Sequence, residues 1–323
     1  MTVRVNKSAF NIREKLSELE RPIGVKGNEL MRAETAQEAR DLVSAGRKNL
    51  IINGDMRISQ RGTSFSNISS NQYLLDRFFI GSGTNDFTIT KESNVSLNER
   101  TVDTIKLICT NNTTSWLDPY QGIEDFKYIQ NKTVTFSVWA RTNHPYVNFR
   151  QYATKNIGDT FIPDGQWHYY SATTTLGNLT LARGVNSAYF GITNSANTSW
   201  TSGQYIEFTE FQLEVGKVAT EFDHRPYAEE LALCQRYYQE DTISNNDVGP
   251  WFTVIDGLGS SYYRCTIHLP TSMRVNPTVT WSASGTIGAT YGTQFISLHS
   301  FTPYTNTGSG AIHISNWTAS AEL

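Results

Sequence analysis

The sequence predicts a mainly β protein, and three observations predict it. Aromatic residues make up 12% of the 323 residues and charged residues 18%, well under the usual quarter. A chain rich in Tyr, Phe, Thr and Asn and poor in long charged stretches suits pleated, half-buried surfaces. Apolar residues recur with a period of two in short runs bounded by Gly, Asn or Asp, the pattern of antiparallel strands joined by tight turns. Two places depart from that texture: residues 1–48 and a short amphipathic stretch after Pro226. The expected order is a short N-terminal helical segment (1–48), a jelly-roll or related antiparallel sandwich (49–225), and a linking helix with a small C-terminal β-sandwich (226–323).

In the first segment, Ile12, Leu16, Leu19 and Ile23 follow a four-three-four spacing, a narrow stripe like a coiled-coil seam. Pro22 limits its length, and so narrow a stripe cannot stabilise a lone helix. It needs partners, either copies of itself or a docking surface. Thr35-Ala-Gln-Glu38 then fits a capping box, Ala36, Ala39 and Val43 continue a second short helix, and Gly46 stands where a C-terminal cap belongs.

From Asn49 the texture is strand-like. Residues 49–55 read as a short apolar strand entering an Asn-Gly turn, followed by apolar runs at 72–80 and 105–110. In KTVTFSVWAR (132–141), Val134, Phe136, Val138 and Ala140 face one side. Thr133, Thr135, Ser137 and Trp139 face the other, which marks Trp139 as a surface platform or a contact with a neighbour. Asp164-Gly165 turns the chain into 166–175, where Trp167, Tyr169 and Ser171 oppose His168, Tyr170 and Ala172. Strands at 188–193 and 205–215 complete the set.

The stretch 206–238 is the joint. Ile206 and Phe208 share one parity, whereas Phe211, Leu213 and Val215 share the other. Parity changes inside one strand only where a residue is bulged out, here near Thr209–Glu210. Gly216-Lys217 turns the chain and Pro226 ends the extended run. Tyr227, Leu231, Cys234 and Tyr238 then fall on one helical face, with Leu233 and Tyr237 on another. The helix is expected to pack Leu231, Cys234 and Tyr238 against one sandwich as a domain junction. Further strands follow at 251–255, 262–269, 278–282, 295–301 and 311–317. So small a second sandwich favours burial shared between subunits.

Four places resemble tail-fibre and related virion structural proteins of tailed bacteriophages, those of marine cyanobacterial phages above all: FNIREKLSEL (10–19); RKNLIINGDMRISQRGTSF (47–65) with YLLDRF (73–78); KTVTFSVWAR with DGQWHYYS (164–171); and FQLEVGKVATEFDHRPYAEELALCQRYYQ (211–239). The third pairing looks like a carbohydrate-binding-module jelly roll. The endings MRVNPTV (273–279) and NWTASAEL (316–323) resemble the terminal module of such fibres. The resemblance implies a homotrimer in the virion tail, assembled in the bacterial host cytoplasm. It implies attachment to other tail or neck proteins through residues 1–48 and distal β-domains facing the host. A collar, capsid or spike protein without a receptor is the alternative reading, and a host-glycan depolymerase a further one.

The composition excludes several classes. A net charge of −3 with no basic run argues against nucleic acid. No apolar run reaches the length of a membrane span or secretory signal, so membrane insertion is not expected. Cys109, Cys234 and Cys265 are odd in number and scattered, which reads as three buried small hydrophobes made in a reducing cytosol. No G-x-S-x-G, H-E-x-x-H, P-loop or Cys-x-x-Cys is present, so an enzyme is not expected, nor any cofactor or metal. His268, His299 and His313 are ordinary strand histidines unless three chains meet at one of them.

Binding a host polysaccharide needs an exposed ring for the apolar sugar face, with hydroxyl partners beside it. The candidates in the first sandwich are Trp116, Tyr120, Trp139, Tyr146, Tyr152 and Trp200. In the second they are Trp251, Tyr291, Tyr304 and Trp317. Any single aromatic among them is more often a core or interface residue.

Overall fold

The computed structural model describes residues 48–81, 85–124, 126–151, 155–177, 187–194, 199–242, 253–255, 262–284, 291–305 and 313–322. The seam of Ile12, Leu16, Leu19 and Ile23, the capping box at Thr35 and the candidates Trp251 and Tyr152 lie outside the described residues. Asn49–Leu323 is one compact unit whose described residues form two hydrophobic cores and a smaller aromatic cluster of Phe79, Tyr120 and Tyr189.

The larger core lies between two antiparallel sheets. The strands are β1 (Ser64–Phe65), β2 (Phe79–Ile80), β3 (Phe87–Leu97), β4 (Arg100–Cys109), β5 (Pro119–Glu124), β6 (Thr133–Thr142), β7 (Val147–Gln151), β8 (Lys155–Ile157), β9 (His168–Thr175), β10 (Ser187–Asn194) and β11 (Tyr205–Val215). One sheet runs β1-β3-β4-β11-β6-β9 and the other β2-β5-β10-β7-β8. Such layering is that of a jelly-roll sandwich. The inward parity read from β6 holds, since Val134, Phe136, Val138 and Ala140 are all fully buried. Phe136 meets Phe149 at 5.5 Å and Phe190 at 5.6 Å from the facing sheet. Burying each such ring contributes roughly 2–3 kcal/mol. Cys109 and Cys234 are buried and Cys265 is half-buried, all as free thiols.

Strand β11 carries the expected bulge. Its pairing with β6 shifts register between Thr209 and Gln212, and Glu210 takes a positive φ of 53°. That shift lets Phe208 and Phe211 both enter the core. Residues 49–55 are not the strand that their apolar run suggested; they bend. The reason is the bulge, whose backbone groups this segment serves. Phe211 N–H donates to the Gly54 carbonyl at 2.9 Å and Leu50 N–H to the Leu213 carbonyl at 2.9 Å. The Asn49 amide oxygen accepts from Leu213 N–H at 3.1 Å. The turn itself is as expected: Asn53 has φ 59°. Gly54 admits no side chain, because a Cβ would lie 2.2 Å from the Phe211 carbonyl oxygen.

After Pro226 comes α1 (Tyr227–Gln235). Cys234 is fully buried, whereas Leu231 is half-buried and Tyr227 exposed. Tyr238 does not share this helical face. The turn tightens where Tyr237 N–H reaches the Cys234 carbonyl at 2.9 Å, and Tyr238 opens strand β12 (Tyr238–Thr242), opposite Ser320. The second core is built on β13 (Thr253–Ile255), β14 (Tyr262–Arg264), β15 (Ile267–His268), β16 (Thr278–Ser284), β17 (Tyr291–Gln294), β18 (Ser300–Thr305) and β19 (His313–Ser320). One sheet runs β12-β19-β16 and the other β13-β14-β18-β15, with β17 beside β18. The run 295–301 is not one strand. Phe295 takes φ 49° and stands exposed, and pairing resumes only at Ser300.

The two cores are joined by charge and rings. Glu322 takes ion pairs from Arg77 and Arg61, the latter at 2.8 Å. Arg77 lies over the Tyr237 ring at 3.5 Å and Arg61 over Tyr238 at 3.7 Å. Tyr237 also donates its hydroxyl to Glu124 at 2.7 Å, which holds that carboxyl below its usual range despite its burial. No helix among the described residues is long and apolar enough to cross a membrane.

Candidate functional site

Trp139, singled out as an aromatic on the polar parity of β6, is half-buried on the outer face of the six-stranded sheet. Its ladder neighbours are Thr209 of β11 and Tyr169 of β9. The indole and phenol rings meet at 5.5 Å with 53° between their planes. Tyr169 is largely open, and burial of its inner edge pushes its hydroxyl up, with Glu214 and Glu210 adding to the effect.

The segment after Gly216 folds back over this face and makes a wall. It is held by polar side chains that β11 turns outward. Thr220 donates its N–H and hydroxyl to the two Glu214 oxygens, both at 2.8 Å. Asp223 N–H donates to the Gln212 amide oxygen at 2.9 Å. The result is a groove of about 520 Å³ lined by Arg100, Ser137, Trp139, Tyr169, Glu210 and residues 219–222 and 224. A volume in this range suits a small ligand or a few sugar units. Past Arg100, Glu210 and His224 a smaller recess of about 220 Å³ continues toward Asp55, Asn94 and Asp103.

Most of the acids in this face meet a cation or a hydrogen-bond donor, while the exposed Glu221 carboxylate forms no ion pair among the described residues. Arg100 grips both oxygens of Glu210, one of them at 2.8 Å, and this bond raises the Arg100 guanidinium further. His224 stands 3.8 Å from the same carboxylate. Glu207, on the same strand, takes Arg141 at 2.8 and 3.0 Å and the Thr104 hydroxyl at 2.8 Å. Lys91 pairs with Asp103 at 3.1 Å. Such a groove can stack the apolar face of a sugar on Trp139 and Tyr169. It can also hydrogen-bond hydroxyls through the exposed Glu221 and His224.

The other candidates fall elsewhere. Trp200 is 1% exposed, a core residue stacked on His144 at 3.9 Å and edge-on to Phe87 at 5.1 Å. Trp317 is 6% exposed, in the second core against Phe301 at 5.4 Å. Both are corrections, since a ring enclosed by other rings has no face to offer. Tyr120 is likewise fully buried, between Phe79 and its neighbours. Tyr291 is 62% exposed, but it pairs with Thr305 while Tyr304 pairs with Gly292, so the two tyrosines lie on opposite faces of their sheet. Trp116 is exposed beside Arg150, away from the groove. His268 and His299 are exposed, and among the described residues no group of three His, Cys, Asp or Glu side chains could hold a metal.

Sequence reasoning missed Arg100, Tyr169, Glu210, Phe222 and His224. One signal was present: three acids, Glu207, Glu210 and Glu214, in a strand otherwise made for burial.

No protein-family model matches the sequence, and no curated protein matches it. Among solved structures the chain is similar to a putative sugar-binding protein of Bacteroides thetaiotaomicron, at 13% identity over 52% of this chain and 100% of that one, with a TM-score of 0.34. It is similar to the enzymatically active domain of tailspike protein 4 of bacteriophage CBA120, at 15% identity over 52% of this chain and 21% of that one, with a TM-score of 0.32. It is also similar to the tripod of the bacteriophage Tuc2009 baseplate, at 14% identity over 68% and 83%, with a TM-score of 0.31.

Proposed function

We propose that this chain is a non-enzymatic tail fibre of a bacteriophage that contacts a neutral host-surface glycan through the Trp139 groove. The observation that carries the reading is the Trp139–Tyr169 ring pair on the floor of an open groove in which Arg100, the one guanidinium of the lining, is already committed to Glu210. Residues 1–48 attach the chain to other tail or neck proteins, the functional unit is a homotrimer, and many weak sites act together through avidity. The sequence resemblance to virion fibres supports this placement. The commitment of Glu210 to Arg100 supports binding over hydrolysis, because a glycosidase needs two carboxyl groups free to act on one bond.

The test is binding of the intact chain to purified host polysaccharide. Wild type is expected to be retained and Trp139→Ala to lose tenfold or more in affinity at unchanged melting temperature. Equal retention of the variant removes the groove from the proposal. Release of new reducing ends would replace the fibre reading with a depolymerase. Absence of any binding by the wild-type oligomer would favour a collar or capsid role. Deletion of residues 1–48 is expected to leave folded protein that no longer joins particles, and normal incorporation would overturn the docking assignment.

A further inference from the structure

The opposite sheet carries a second constellation of a different charge character. Along β7, Val147 and Phe149 enter the core. Asn148 and Arg150 therefore share the outward parity, and Tyr146 stands exposed in the turn that leads into β7. Arg150 lies over the Trp116 ring at 4.9 Å. Opposite Arg150 in the ladder stands Gly191. A side chain there has no room, because a Cβ would lie 2.0 Å from the Pro119 carbonyl oxygen and 2.6 Å from the Tyr120 ring. Nothing on β10 therefore stands between Arg150 and the strand beyond.

Two buried polar atoms of this row lack partners. Asn148 is only 7% exposed, and its side-chain oxygen receives no hydrogen bond. The Arg150 Nε donates none. Arg57, Arg61, Arg77, Arg100, Arg141, Arg225 and Arg236 each meet a carboxylate. Among the described residues Arg150 meets none. Burying polar atoms without partners is costly unless a ligand supplies them.

We propose that Trp116, Tyr146, Asn148 and Arg150 form a second binding site, for a saccharide that carries a carboxylate, such as a uronic acid. The guanidinium receives the carboxylate, the Asn148 oxygen accepts a sugar hydroxyl, and the exposed Tyr146 and Trp116 rings take the apolar ring face. This site stands on observations independent of the Trp139 groove.

The probe is an oligogalacturonate, compared with its carboxyl-reduced neutral counterpart, titrated into the intact chain. The acidic oligomer is expected to bind at least tenfold more tightly than the reduced one. Arg150→Gln is expected to abolish that preference and Arg150→Lys to keep part of it. Asn148→Asp, which adds a rival carboxylate at unchanged size, should abolish it too. Trp139→Ala should leave it intact, which separates this site from the groove. Equal binding of the two oligomers, a preference insensitive to Arg150→Gln in protein with a wild-type melting curve, or no binding of either galacturonate or mannuronate oligomers at millimolar concentration would each overturn the proposal.

Discussion

Trp139 and Trp200 show how much one residue's fate depends on what lies across from it. Trp139 lies in an apolar-alternating strand and Trp200 among polar and small neighbours, yet the first floors a groove and the second is sealed in the core. The partner that seals Trp200 gives the first prediction. His144 is fully buried and stacked on it at 3.9 Å, and burial pushes the His144 imidazole down from 6.5 to about 4. The unfolded chain binds the extra proton between those values. The contribution is therefore fully present above about pH 6.5 and is lost as pH falls toward 4, up to about 3 kcal/mol. His144→Phe keeps the stack and removes the titration. Urea midpoints at about pH 7 and about pH 4.5 should differ much less in the variant than in wild type. An undiminished difference would place the acid sensitivity elsewhere.

Strand β11 and helix α1 are coupled through the segment 49–54. Arg225 and Glu230 form a buried pair at 3.1 Å, and Arg225 also donates to the Ile51 carbonyl at 3.0 Å and to the Asn49 carbonyl. Glu230 accepts in addition from Asn53 N–H. Arg225→Met should cost about 3–5 kcal/mol, because it leaves a carboxylate buried and unpaired. Arg225→Met with Glu230→Leu should recover a good part of that loss. Equilibrium unfolding of the three proteins checks it, and a double variant less stable than the single one would refute the pairing argument. The bulge that shapes this region was legible, because a strand that turns five apolar side chains to one core must change parity where they do. Strands β3, β5, β7 and β12 were not legible. The outer half of β3 has partly exposed residues on both parities, and β12 is largely polar and defined by its pairing with β19, so neither shows a clean period of two.

Across the molecule, the coupling between the two cores converges on the penultimate residue. Glu322 neutralises Arg77, which is almost wholly buried, and also holds Arg61. Glu322→Ala should strip Arg77 of its counter-charge and separate thermal unfolding into two transitions, with the smaller core around Phe301 and Trp317 melting first. Calorimetry of wild type and variant checks this. An unshifted melting profile would mean that the ring contacts of Tyr237 and Tyr238 suffice to join the modules. The candidate groove belongs to this scale as well, since Arg100, Glu210, Trp139 and Tyr169 come from four neighbouring strands, β4, β11, β6 and β9, and His224 from a returning loop.

The linear pattern was enough for the β class, the inward faces of the long strands, the bulge at Glu210 and the Asn-Gly turn, because each is a local consequence of pleat or backbone geometry. Which outward faces stay open, which acids meet which arginines, and which tryptophans remain on the surface all depended on the folded arrangement. Alternation assigns a side chain to one face of its strand. Whether another layer covers that face is set by contacts between residues as far apart as Arg77 and Glu322, and no local period records them.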